Sequence, residues 1–152
     1  MDQKTRQAVA ASLRAAASKI EAAGKPAKNA AKNTAVTYMY RDASNYKSGH
    51  RREVLQGLLK GDLKTKIMSL SGDGFIASQV GFKELAPELW EGKGPSEDDH
   101  VFSELVSVED TPDAPTIPKT TMTAERFYVL LSRNRWDVAK AMDALGLDGF
   151  DD

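Results

Sequence analysis

Between Val36 and Arg41 the chain alternates. Val36, Tyr38 and Tyr40 are bulky and apolar or aromatic, and Thr37, Met39 and Arg41 fall between them. A period of two sends successive side chains to opposite faces of a strand, and the same pattern on a helix would scatter its apolar groups around the cylinder. Asp42-Ala43-Ser44-Asn45 follows, a run of residues suited to a turn. Arg52-Glu53-Val54-Leu55-Gln56-Gly57 then reads as a returning strand. An antiparallel hairpin is thus the nucleus of the reading, and it confines the fold to classes that contain a sheet.

The rest of the block supplies the other layer. Leu63, Ile67 and Leu70 have helical spacing after Asp62, a residue suited to cap a helix N-terminus. Ser71-Gly72-Asp73-Gly74 is a turn, and Phe75-Ile76-Ala77-Ser78-Gln79-Val80 reads as a third strand. Lys83 to Trp90 is a short helix or turn broken at Pro87, and residues 91–98 form a polar loop. Val101 to Val108 reads as a fourth strand. The order ββαβ(α)β predicts an α+β fold: an antiparallel or mixed four-stranded sheet with one or two packed helices.

Four segments are expected. Residues 1–34 hold an alanine-rich helix and a basic linker, and residues 35–110 the α+β core. Residues 111–121 form an extended linker carrying Pro112, Pro115 and Pro118, and residues 122–152 a helical hairpin with an acidic tail. In the hairpin Thr123 caps the first helix and Asn134 the second. Gly146 ends it in a left-handed conformation, with Leu147 free to touch Met142. In the first segment Val9, Leu13 and Ile20 lie on one narrow stripe, too thin to anchor a core and suited to contact between copies of the chain. A homo-oligomer is therefore expected.

Charge sharpens the exclusions. Residues 1–33 carry seven basic and two acidic side chains, while the remainder is net acidic and the whole chain sums to -1. A basic head can contact nucleic acid, but alanine-rich helices also need charge for solubility, so nucleic acid is not favoured. There is no cysteine, which removes disulfides, thiol catalysis and thiolate metal sites. No apolar run approaches the ~20 residues of a membrane span, and Lys4, Arg6 and Arg14 interrupt any signal-peptide core. A cytoplasmic protein without a membrane partner is expected.

The richest chemistry sits at the first turn. Tyr38, Tyr40, Arg41, Asp42, Ser44, Asn45, Tyr46 and Lys47 gather aromatic faces, a guanidinium, a carboxylate and an ammonium, a set able to hold a planar anionic ligand such as a nucleotide. The same residues can equally form a self-bonded hairpin turn. His50 and His100, with Asp98, Asp99 and Glu104, would form an acid–base pair or an oxygen-rich metal site if their strand ends met, but no ligand spacing is present. Ser71-Gly72-Asp73-Gly74 opens a strand rather than a helix, so a phosphate cradle is not expected. No metal or cofactor is expected.

Tyr40-Arg41-Asp42-Ala43-Ser44-Asn45-Tyr46-Lys47, followed by Phe75-Ile76-Ala77-Ser78-Gln79-Val80-Gly81 and Asp98-Asp99-His100, resembles a family of small uncharacterised proteins of bacteria, phages and mobile elements. The resemblance covers about half the chain and brings no established activity. It implies an accessory role in phage–host conflict. The C-terminal run Asn134 to Leu147 is similar to parts of ubiquitin-associated-like domains and of a helix-turn-helix family. The aspartates that follow would be repelled by DNA phosphates. The leading expectation is a non-enzymatic interaction protein that binds a partner protein, with Tyr38 to Lys47 and His100 at the contact. A small nucleotide-like ligand held by the Tyr40–Lys47 turn is the first alternative. A metal-dependent hydrolase or nuclease using Asp42, His50, Asp98, Asp99 and His100 is the second.

Overall fold

The computed structural model describes residues 30–147 apart from 46, 71, 73 and 91. The expected N-terminal helix with its Val9, Leu13 and Ile20 stripe, the side chain of Tyr46 and the acidic tail lie outside the described residues.

The hairpin forms where the alternation places it. Strand β1 (Asn33–Arg41) pairs antiparallel with β2 (Ser48–Gln56), Tyr38 opposite Arg51 and Tyr40 opposite Gly49. On its other side β1 pairs antiparallel with β3 (Glu104–Thr111), so β1 is the central strand of a sheet ordered β2-β1-β3. Val106 is the extra residue of a bulge: Thr37 faces Ser107 while Tyr38 faces Leu105. Helix α1 (Leu63–Leu70) contributes Ile67 to the core. Helices α2 (Ala124–Arg133) and α3 (Val138–Leu145) follow β3. The class is α+β, and among the described residues no helix is long and apolar enough to cross a membrane.

Four expectations are corrected. The sheet has three strands among the described residues, not four. Phe75 makes one isolated bridge to Ser103, and Ala77–Val80 then coils into a 3-10 turn ended by Gly81 at φ 81°. Phe75, Ile76, Ala77 and Val80 are all buried. Three buried residues in succession, Phe75 to Ala77, give strand and turn the same apolar signature, so the period-two reading had nothing to discriminate on. The last strand runs Glu104–Thr111 rather than from Val101, because β1 offers it partners as far as Asn33. Asn134 is not the cap of the final helix: it ends α2 at φ 51°, and Asp137 caps α3 by accepting the Lys140 N–H. Pro87, read as a breaker, sits at the start of a 3-10 turn (Ala86–Leu89), where its missing N–H costs nothing.

Residues 111–121 are packed along β2. Thr116 and Ile117 both donate their N–H to the Val54 carbonyl, and the Thr116 hydroxyl reaches Glu53 Oε1 at 2.6 Å. Beyond them α2 inserts Phe127 and Leu131 into the same core as Val36, Tyr38 and Leu55. The centre of that core is aromatic: Tyr38 stacks on Phe82 at 5.1 Å, Phe82 lies 5.2 Å from Phe127, and Phe75 meets Phe127 edge-on at 5.7 Å. A smaller cluster of Ile76, Val101, Ala141 and Leu147 joins α3 to the segment before β3.

Candidate functional site

The turn after β1 is tied by its own backbone. Asp42 and Lys47 are joined by the Asp42 N–H on the Lys47 carbonyl at 3.0 Å and the Lys47 N–H on Asp42 Oδ1 at 3.1 Å. Ser44 donates its hydroxyl to Asp42 Oδ2, and Asn45 takes the left-handed conformation at φ 63°, which its short amide side chain tolerates. Asp42 is therefore a buried turn-former. The Ala43 N–H donates to the Asp98 carbonyl at 3.0 Å and pins the turn to the loop before β3.

Asp99 is the hub of that loop. Its Oδ1 accepts the Tyr40 hydroxyl at 2.6 Å, and its Oδ2 accepts the Lys47 ammonium at 2.8 Å and the Ser96 N–H at 2.8 Å. The Asp99 side chain is wholly buried. Burial pushes its carboxyl upward, but the Lys47 ammonium, the Tyr40 hydroxyl and the Ser96 N–H together outweigh that and hold it at about 2. Burial first, and the bond to Asp99 second, raise the Tyr40 hydroxyl well above its ordinary range.

His100 completes the knot. Its backbone N–H donates to the Tyr40 hydroxyl at 3.2 Å, and its ring lies 5.0 Å from the Tyr40 ring. The Nδ1 accepts the Phe102 N–H at 3.0 Å while Nε2 lies 2.9 Å from the Arg41 carbonyl. These partners assign a neutral imidazole with its proton on Nε2. Arg41 forms a two-pronged, exposed pair with Glu104, at 2.9 Å from Nε and 3.1 Å from Nη2.

The structure thus gathers Tyr40, Asp42, Ser44, Lys47 and His100, but as a mutually bonded knot. Arg41, Ser44 and Asn45 are exposed. Tyr38 and Tyr40 are sealed at 0 % and 2 % exposure, so neither offers a face for a ligand to stack on. The Tyr38 hydroxyl donates to the Lys83 carbonyl at 2.7 Å. His50 pairs with Met39, on the face of β1 opposite to Tyr40, against which His100 packs. The two histidines are not an acid–base pair. Among the described residues no three His, Asp or Glu side chains converge as metal ligands.

Two clefts flank the knot, each of about 270 Å³. The first lies between residues 97–102 and α3 and is mostly apolar, with Phe102, Val138, Met142 and Leu147 as walls and Asp99 and His100 beside them. The second is lined by Lys47, Leu89, Trp90, Lys93, Gly94 and Ser96. Beyond Lys47, Asp99 and His100, the wall residues become neighbours only through tertiary packing, so local patterns do not mark them. Ser96 alone had a local signal. A serine three residues before Asp99 is the spacing at which a carboxylate reaches back to a backbone N–H.

Comparison with known proteins finds no family model, curated protein or solved structure that matches the chain.

Proposed function

We propose that this chain is a non-enzymatic accessory protein of a phage or mobile element, acting in the cytoplasm in phage–host conflict by binding a partner protein. The observation that carries the reading is the state of the polar groups at the first turn. Tyr40, Asp42, Lys47, Asp99 and His100 are bonded to one another, and the Asp99 carboxylate is saturated. Groups held this way stiffen a surface; a general acid or base needs a bond to give to its substrate. Beside them lies an open apolar cleft, the kind of feature an anchoring side chain of another protein fills. The resemblance of Tyr40 to Lys47 to mobile-element proteins supports the biological setting.

The test is crosslinking in cells. A photoreactive amino acid at Val138, on the cleft wall, is expected to trap one dominant protein, and the same group at exposed Lys119 is not. Identical adduct patterns from both positions reject the proposal. Self-association through Val9, Leu13 and Ile20 is part of the same reading. Light scattering on the triple serine variant is expected to show a smaller particle than the parent.

A second reading, capture of a nucleotide-like small molecule, is favoured by the other cleft. There Lys47, Lys93 and Ser96 surround Trp90, whose Nε1–H is buried without an acceptor among the described residues. Such a donor is costly to leave unmet. Native mass spectrometry of protein purified from cells is expected to show a retained anionic mass under this reading, lost in Lys93→Glu; a bare polypeptide mass rejects it.

A further inference from the structure

The apolar cleft has a charged rim of one sign. Its walls are Phe102, Val138, Met142 and Leu147, and no lysine or arginine lines it among the described residues. Glu97 lines it and is exposed, and neither Glu97 nor its neighbour Asp98 has an ion-pair partner among the described residues. On α3 the 100° step per residue puts Val138 and Met142 on one side and turns Lys140 and Asp143 away from it. Val138 is 38 % exposed, so the apolar wall faces outward and is not a sealed void. The cations of the turn are already paired, Arg41 with Glu104 and Lys47 with Asp99.

From this juxtaposition we infer that the cleft takes a protein segment in which one bulky apolar side chain is flanked by lysines or arginines. The apolar residue enters between Phe102 and Met142, where area removed from water supplies the affinity. The flanking cations lie along Glu97 and its neighbour Asp98, where complementary charge selects the segment and speeds its arrival more than it tightens the complex. His100, with both ring nitrogens engaged in the fold, keeps the floor of the cleft rigid. The inference rests on the partner-protein reading above and specifies the chemistry of that partner.

The full chain, with its methionine methyls labelled for NMR, provides the test. It is titrated with three fluorescein peptides: Lys-Lys-Phe-Leu-Lys-Lys, Glu-Glu-Phe-Leu-Glu-Glu and Lys-Lys-Ser-Ser-Lys-Lys. The first is expected to shift the Met142 methyl and to bind at least fivefold tighter than either of the others, with affinity falling as salt rises. Glu97→Lys is expected to remove at least threefold of that affinity while leaving the melting temperature unchanged. Met142→Gln, a polar side chain of similar length, is expected to weaken the first peptide without restoring the second. If the acidic peptide binds as well as the basic one and shifts Met142, the charge assignment is overturned and the partner reading stands. If the lysine–serine peptide binds as well as the first, the apolar anchor is overturned. If no peptide moves Met142 and Val138 also traps nothing in cells, both inferences fall together.

Discussion

The Tyr40 hydroxyl and the Asp99 carboxylate meet at 2.6 Å across 59 residues of chain. That bond fastens the end of β1 to the loop before β3. The Tyr40 oxygen also accepts the His100 N–H, so one atom serves two partners. Tyr40→Phe keeps the ring and deletes the oxygen, leaving a buried carboxylate oxygen and a backbone N–H each short of a bond. A loss of about 1–3 kcal/mol in urea unfolding is expected, with an unchanged denaturant slope. A variant as stable as the parent would show that water replaces the hydroxyl.

Acid should act through Asp99. Its folded-state titration is depressed from an ordinary 3.8 to about 2. The stability it contributes is therefore fully present above about pH 4 and is lost as pH falls through about 2, a total of about 2 kcal/mol. Asp99→Asn removes the titration. The stability gap between parent and variant should shrink over that window, measured by denaturant unfolding at successive pH values. A gap constant from pH 5 to pH 2 contradicts the assignment.

Phe127 lies on α2, yet its ring touches Phe75 and Phe82 beneath the sheet. Phe127→Ala should cost about 3–5 kcal/mol. Far-ultraviolet and aromatic near-ultraviolet signals should move together to lower denaturant. Two separated transitions would mean that the helices fold apart from the sheet.

Two glycines at similar angles should respond differently to alanine. Gly92, at φ 79°, has open space where a Cβ would go, so Gly92→Ala carries only the left-handed backbone cost of about 1–2 kcal/mol. Gly74, at φ 89°, would place its Cβ 2.8 Å from the Ser103 carbonyl oxygen, which accepts the Phe75 N–H. Backbone cannot swing aside as a side-chain tip can. Gly74→Ala should lower the melting temperature clearly more than Gly92→Ala; equal losses would show that the bridge is free to shift.

What was legible in the sequence was what local periodicity encodes. The alternation from Val36 to Tyr40, the helix at Leu63–Leu70, the Thr123 cap and the Gly146 stop all depend on residues within a turn or two of one another. Leu147 does donate its N–H to the Met142 carbonyl, as a left-handed glycine stop requires. That Phe75 to Val80 coils instead of pairing as a strand was not legible, because Phe75, Ile76 and Ala77 are buried in succession and carry no alternation. At the first turn the chemistry was visible and its use was not. Tyr40 looked like a stacking platform because nothing local reveals that Asp99 and His100 close over it. The apolar cleft was invisible for the same reason, since Phe102 and Met142 are brought together only by tertiary packing.

Thr116 has a consequence for the molecule in a crowd. By lying against Val54 it occupies the outward amide and carbonyl of that residue, which an incoming strand would need. The remaining stretch of the same margin carries His50, Arg51 and Arg52, whose charge and bulk discourage the stacking that seeds fibrils. This margin of the sheet should therefore not template the growth that a bare β2 edge would.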